Sequence, residues 1–214
     1  MPPRSILFDF DGTLIDSAPG ILASFGAALQ LTGITPAVPL VASLIGPPLP
    51  LTAAALVGRD DPVAITALTA AFRADYDEAG YRATAVYEGI PQLLDGLAAA
   101  GIALRIVTNK RIAPTRRILE HLRWSRFFTE VHALDATQPP APHKPAMVAA
   151  VLRGAALQPK ETWMVGDSAE DRRAAELNGL RFFAAAWGYG TWAPAPDTLI
   201  RPQGLLDALL DALR

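Results

Sequence analysis

SILFDFDGTL, Ser5 to Leu14, carries a short apolar run straight into two aspartates and a glycine. A run of this length with Asp and Gly at its end predicts a buried strand over Ser5–Phe8. In an open parallel sheet, ligands bind beyond the carboxyl ends of the strands, so Asp9 and Asp11 fall where a site is expected. Their spacing of two directs both side chains to one side of an extended chain. Gly12 permits a sharp turn and the close approach of a ligand to backbone amides. Two neighbouring carboxylates repel each other and call for a cation, a shared proton, or both. In isolation, DFDG reads equally as an Asp-Gly turn with a capping residue.

Outward from this stretch, short apolar runs alternate with amphipathic ones. Ala103–Val107, Glu130–Ala133, Thr162–Val165 and Arg181–Ala185 read as further strands, several of them β-branched or aromatic. Helices are predicted over Pro91–Ala100, Pro114–Leu122, Pro145–Arg153, Ala169–Leu177 and Leu205–Leu213. The first of these sets Leu93, Leu94, Leu97 and Ala98 on one face and stops at Gly101, a left-handed cap. The pattern predicts an α/β fold, a Rossmann-like core built on a mainly parallel sheet. It breaks once, between Asp16 and about Tyr87. There Ile21–Leu31, Leu49–Val57 and Val63–Tyr76 carry helical spacing, punctuated by Gly33, Pro36, Gly46, Pro47 and Pro62. Residues 16–87 therefore read as a helical insertion after the first strand, and 1–15 with 88–214 as the core.

Three further segments sit at strand ends. VTNK, Val107 to Lys110, offers a hydroxyl and an amide to a phosphate oxygen, or is an ordinary strand-to-helix loop. Lys144, in PHKPAM, adds positive charge at a helix start that already favours anions, or is a solvated surface lysine. The chain has only three lysines among its 19 basic residues. In VGDSAED, Val165 to Asp171, Asp167 stands at a strand tip as a candidate metal ligand. Asp171, one turn later, can bind an ion through water or orient its ligands. The same segment reads as a helix capped by Ser168.

Taken together and in order, DFDGTL, Thr108-Asn109, Lys144 and GDSAED resemble the four motifs of the haloacid dehalogenase superfamily, over nearly the whole chain. The insertion resembles that superfamily's cap between the first and second motifs. DFDGTLIDSAPGI, Asp9 to Ile21, and WGYG, Trp187 to Gly190, are similar to the phosphoglycolate phosphatase group. The resemblance implies that Asp9 is the nucleophile and Asp11 the general acid and base. It implies that Thr108 and Lys144 hold the phosphate, with Gly12 in the same pocket and Asn109 supporting it less directly. A Mg²⁺ site would be formed by Asp9, Asp11 through its carbonyl, and Asp167, supported by Asp171. Gly20 departs from the family, standing where relatives often carry an acid. LIGPPLPL, Leu44 to Leu51, resembles a broader set of cap-bearing phosphatases.

The expected substrate is a small-molecule phosphate ester, 2-phosphoglycolate first, with nucleotides, pyrophosphate or sugar phosphates as alternatives. A sugar phosphomutase and a non-catalytic binding protein on the same fold are the rival readings. The absence of a GxxxxGK[ST] loop argues against a nucleotide-using kinase of that type. Of the chain's 214 residues, 51% are hydrophobic and 19% charged, enough for a core and against extended disorder. A net charge of −2 offers no patch for nucleic acid or a membrane surface. With no cysteine, thiolate chemistry is excluded. Met1–Arg4 leads almost directly into the first strand, so a cytoplasmic protein without a signal peptide is expected, as monomer or homodimer.

Overall fold

The computed structural model describes residues 2–213; Met1 and Arg214, at the ends of the core as read from sequence, lie outside the described residues. The chain begins with β1 (Ser5–Phe8), every residue of which is buried. There follow β2 (Ile15–Asp16), α1 (Ala18–Thr32), α2 (Leu49–Val57), α3 (Pro62–Glu78) and β3 (Ala85–Val86). Strands and helices then alternate: α4 (Ile90–Ala99), β4 (Ala103–Thr108), α5 (Ile112–His121), β5 (Phe128–Ala133), α6 (Lys144–Gly154), β6 (Thr162–Gly166), α7 (Ala169–Leu177) and β7 (Arg181–Ala185). The two-residue β8 (Thr198–Leu199) and α8 (Gln203–Leu213) complete the described chain.

One parallel sheet runs in the order β5-β4-β1-β6-β7-β8. Because side chains alternate across a strand, β1 feeds two cores. Ile6 and Phe8 join the side covered by α4, α5 and α8, with Leu94, Ile118 and Leu205. Leu7 joins the side covered by α6 and α7, with Val148 and Ala174. β1 is also where the strand order reverses: β4 lies on one side of it and β6 on the other. Crevices for ligands open at such a point. The register pairs Phe8 with Ile106 and Val165, so the residues after β1, β4 and β6 emerge together.

The five predicted main strands and the helices between them are present, with ends shifted by a residue or two in several. On α4, Leu93, Leu94 and Leu97 are buried as expected, but Ala98 is exposed and Ile90 completes the apolar face. Short strands escaped the reading. β2 and β3 pair antiparallel, Ile15 with Val86 and Asp16 with Ala85, at the two ends of the helical segment. Between them α1, α2 and α3 enclose their own apolar cluster, centred on Phe25, Leu56, Leu68 and Phe72.

Gly20, the departure noted above, has a steric reason. A Cβ there would stand 2.3 Å from the carbonyl oxygen of Gly80, in the 3-10 turn that follows α3. The partner atom is backbone and cannot swing aside. Alanine is the better helix former by about 1 kcal/mol, yet overpacking of this kind costs about 1–3 kcal/mol. Gly20→Ala should therefore lower stability in chemical denaturation, and a stabilised variant would contradict the close approach.

Candidate active site

Asp9 follows β1, Asp167 follows β6, and Asp171 lies in the first turn of α7; all three are buried. Their carboxylates come together, with one oxygen from each lying within 4.8 Å of the others. The buried Lys144, first residue of α6, donates to Asp9 Oδ1 at 2.7 Å and to Asp171 Oδ1 at 2.5 Å. Asp171 is held from behind by a capping box: its Oδ2 accepts from the Ser168 amide, and its own amide donates to Ser168 Oγ. The reading of Ser168 as a cap and of Asp171 as an orienting group thus describes one arrangement. Asp171 also stands nearer the centre than expected, inside the carboxylate cluster itself.

The electrostatics follow from crowding. Burial first, and then the charge of Asp171, push Asp9 well above the usual carboxylate range, against the pull of Lys144. Asp167 is raised to about 6 by burial and by Asp171, against its hydrogen bond from the Tyr189 amide. Burial alone would lower Lys144, but Asp171 and Asp9 outweigh it and hold the ammonium charged. One ammonium, paired with Asp9 and Asp171, thus stands among three clustered carboxylates, and a further cation would relieve the excess negative charge. The donor set is all carboxylate oxygen, which suits a hard ion such as Mg²⁺ and offers none of the nitrogen or sulfur ligands that Zn²⁺ or Cu²⁺ prefers.

Asp11 faces other partners. Its Oδ1 accepts from Lys110 Nζ at 2.9 Å and from Ser17 Oγ at 2.5 Å, so its side chain stands outside the acidic cluster. The sequence reading passed over Lys110 as a loop residue, although it directly follows Thr108-Asn109. Burial works against its charge, but Asp11 and Tyr76 prevail and raise its pKa. Its Nζ lies 4.8 Å from the centre of the Tyr76 ring, on α3.

Thr108, buried at the end of β4, accepts from the Lys110 amide through Oγ1. Asn109 spends both amide hydrogens elsewhere, on the Gly46 carbonyl and on Glu170 Oε2, leaving none for a phosphate oxygen. Gly12 likewise donates its amide to the Ile15 carbonyl. What that position requires is room: its φ is +81°, and a Cβ would lie 2.2 Å from Asp167 Oδ2.

The WGYG segment wraps the same centre. The Tyr189 amide donates to Asp167 Oδ2 at 2.8 Å, and its hydroxyl donates to Asp16 Oδ1 while accepting from the amides of Ser17 and Ala18. Trp187 Nε1 donates to the Thr13 carbonyl. The histidines lie in local contacts: His143 caps α6 through Nδ1, His132 pairs with Glu130, and His121 meets Tyr81 edge-on.

Comparison with known proteins gives a consistent family and divided names. The sequence model described as haloacid dehalogenase-like hydrolase matches residues 6–185. Tyrosine-protein kinase PtkA of Mycobacterium tuberculosis is 36% identical over 99% of this chain and 72% of its own. A phosphoglycolate phosphatase of Xylella fastidiosa is 31% identical over 95% of this chain and 91% of its own. The solved structure of a haloacid dehalogenase-like family hydrolase from Streptococcus pneumoniae superposes with a TM-score of 0.81 at 26% identity, covering 96% of this chain and 98% of that one.

Removing one partner of a buried charge cluster costs about 3–5 kcal/mol. Lys144→Met should lose about that much in chemical denaturation in the presence of EDTA, because Asp9 and Asp171 are left without their ammonium. A loss below about 1 kcal/mol would mean that the cluster does not carry the charges described.

Proposed function

Because this chain belongs to the haloacid dehalogenase-like hydrolase family, we propose that it is a phosphatase, hydrolysing a small-molecule phosphate monoester through a phosphorylated Asp9. One observation carries the reading: two aspartates two residues apart are held by different partners, Asp9 by Lys144 and Asp11 by Lys110 and Ser17. Two carboxylates in distinct surroundings can take distinct roles, one as nucleophile and one as acid and base.

An Asp9 carboxylate oxygen attacks phosphorus, and the bond from phosphorus to the ester oxygen breaks. Asp11 gives its proton to that departing oxygen. Asp11 then takes a proton from water as the water attacks the aspartyl-phosphate, which frees inorganic phosphate and restores Asp9. The Thr108 hydroxyl and the Lys144 ammonium bind the phosphoryl oxygens, and Asp171 positions Lys144. Asp9, Asp167 and the Asp11 carbonyl would hold Mg²⁺, which would supply positive charge that offsets repulsion between nucleophile and ester. Residues 16–87 act as the cap that covers this chemistry and meets the leaving group.

The names of relatives supply two substrate readings. Phosphoglycolate is the first, in agreement with the amino-terminal motif. The second is transfer to a tyrosine hydroxyl, favoured by the long match to a protein named a tyrosine kinase. Water as acceptor gives free phosphate, whereas a phenol as acceptor gives phosphotyrosine and requires a phosphoryl donor such as a nucleoside triphosphate. Measuring both products in one incubation separates them.

Asp9→Asn should abolish phosphate release from a generic ester, since an amide cannot form the acyl-phosphate. Asp11→Asn should lose on the order of 10²–10⁴ in kcat. EDTA should stop turnover and Mg²⁺ restore it, with Ca²⁺ a poor substitute because of its larger, looser shell. Near-normal turnover by pure Asp9→Asn protein would sink the mechanism.

A further inference from the structure

Beside Asp11 a small cavity of about 70 Å³ lies between the insertion and the core. Its insertion wall is made largely of Ile21, Phe25, Leu44, Ile45, Leu49 and Phe72. The polar side chains on that wall are those of Thr52, whose hydroxyl donates to the Leu44 carbonyl, and of Tyr76, whose ring packs against Lys110 Nζ. No charged residue of the insertion lines the cavity. The three arginines of the insertion lie elsewhere. Arg59 pairs with Asp61, Arg82 donates to the Glu78 carbonyl, and Arg73 is exposed.

Two cations reach the cavity from the core, and both are engaged. Lys110 is bonded to both oxygens of Asp11, and Arg111 binds both oxygens of Asp77 on α3. A carboxylate entering here would have to take one of them from its present partner or remain unpaired in an apolar pocket, which is costly. A neutral apolar group meets neither obstacle, and its burial is favourable at about 25 cal/mol per Å².

We infer that this pocket takes a phosphate ester whose alcohol is uncharged and apolar, of the arylalkyl kind, and that Ile45, Leu49 and Phe72 set the preference. The inference rests on the phosphatase reading above and ranks 2-phosphoglycolate as a poor substrate. These three residues line the insertion side of the cavity and take no part in the phosphoryl transfer proposed above. They act on kcat/KM through the leaving group alone.

The test compares 2-phenylethyl phosphate, ethyl phosphate and 2-phosphoglycolate, all primary alkyl esters, so that leaving-group reactivity is nearly matched. With Mg²⁺ present, wild-type kcat/KM should favour 2-phenylethyl phosphate by about tenfold or more over both others. Leu49→Ala should narrow the ratio of 2-phenylethyl to ethyl phosphate several-fold, and Ile45→Arg should shift the balance toward 2-phosphoglycolate. Ratios are read because they do not depend on the fraction of folded enzyme. If 2-phosphoglycolate matches or exceeds 2-phenylethyl phosphate in wild type, or the ratio is unchanged in Leu49→Ala, the inference is overturned. Absence of turnover with all three esters would defeat the phosphatase reading and take the inference with it.

Discussion

Lys144 sits where charges of one sign would otherwise collide. Asp9, Asp167 and Asp171 are buried together at the carboxyl end of a parallel sheet, and this one ammonium lies between two of them. Charges removed from water must be paired closely and hydrogen-bonded fully, so everything that aims these four side chains is constrained. The β1–β6 pairing fixes Asp9 against Asp167. The capping box of α7 fixes Asp171, and Gly166 just before it leaves space, since a Cβ there would lie 2.4 Å from that of Asp171. The start of α6 delivers Lys144.

A second set of contacts joins this centre to the helices of the insertion. Asn109 ties the end of β4 to the Gly46 carbonyl, Arg111 pairs with Asp77, and Lys110 lies against Tyr76. Two of the three are charge-bearing contacts at the edge of an apolar cavity, where water is partly excluded and such contacts strengthen. The core and the insertion thus face each other across this cavity. Lys110, bonded to Asp11 and packed on Tyr76, is the residue that touches both.

The parts of this arrangement legible in the sequence are those that local pattern encodes. β7 and α7 have the ends read from apolar runs and caps, and the parallel order follows from their alternation. Asp9, Thr108, Lys144 and Asp167 each stand at a strand end or helix start, which is why a linear reading finds them. Lys110 was missed because its direction is set by Asp11 and Tyr76, 99 residues away in one case and on α3 in the other. Asn109 was assigned to the phosphate pocket, but its donors are taken by Gly46 and Glu170, again distant in sequence. β2, β3 and β8 have two residues each, too few for a period to register. Ala98 was placed on the buried face because alanine fits either environment.

The β2–β3 pair has an evolutionary reading. Chain leaves the sheet through Ile15-Asp16 and comes back through Ala85-Val86, and the two dipeptides are hydrogen-bonded side by side. The ends of everything between them are therefore about 5 Å apart, and that segment carries its own apolar cluster. A different segment whose ends meet at that spacing could join the sheet through the same two strands, provided that it also met the core where Gly46, Tyr76 and Asp77 do. Drift or recombination in the inserted piece can then explore new ligands while the acid cluster is inherited unchanged. The two-residue ribbon is, in effect, a standard fitting for exchangeable parts.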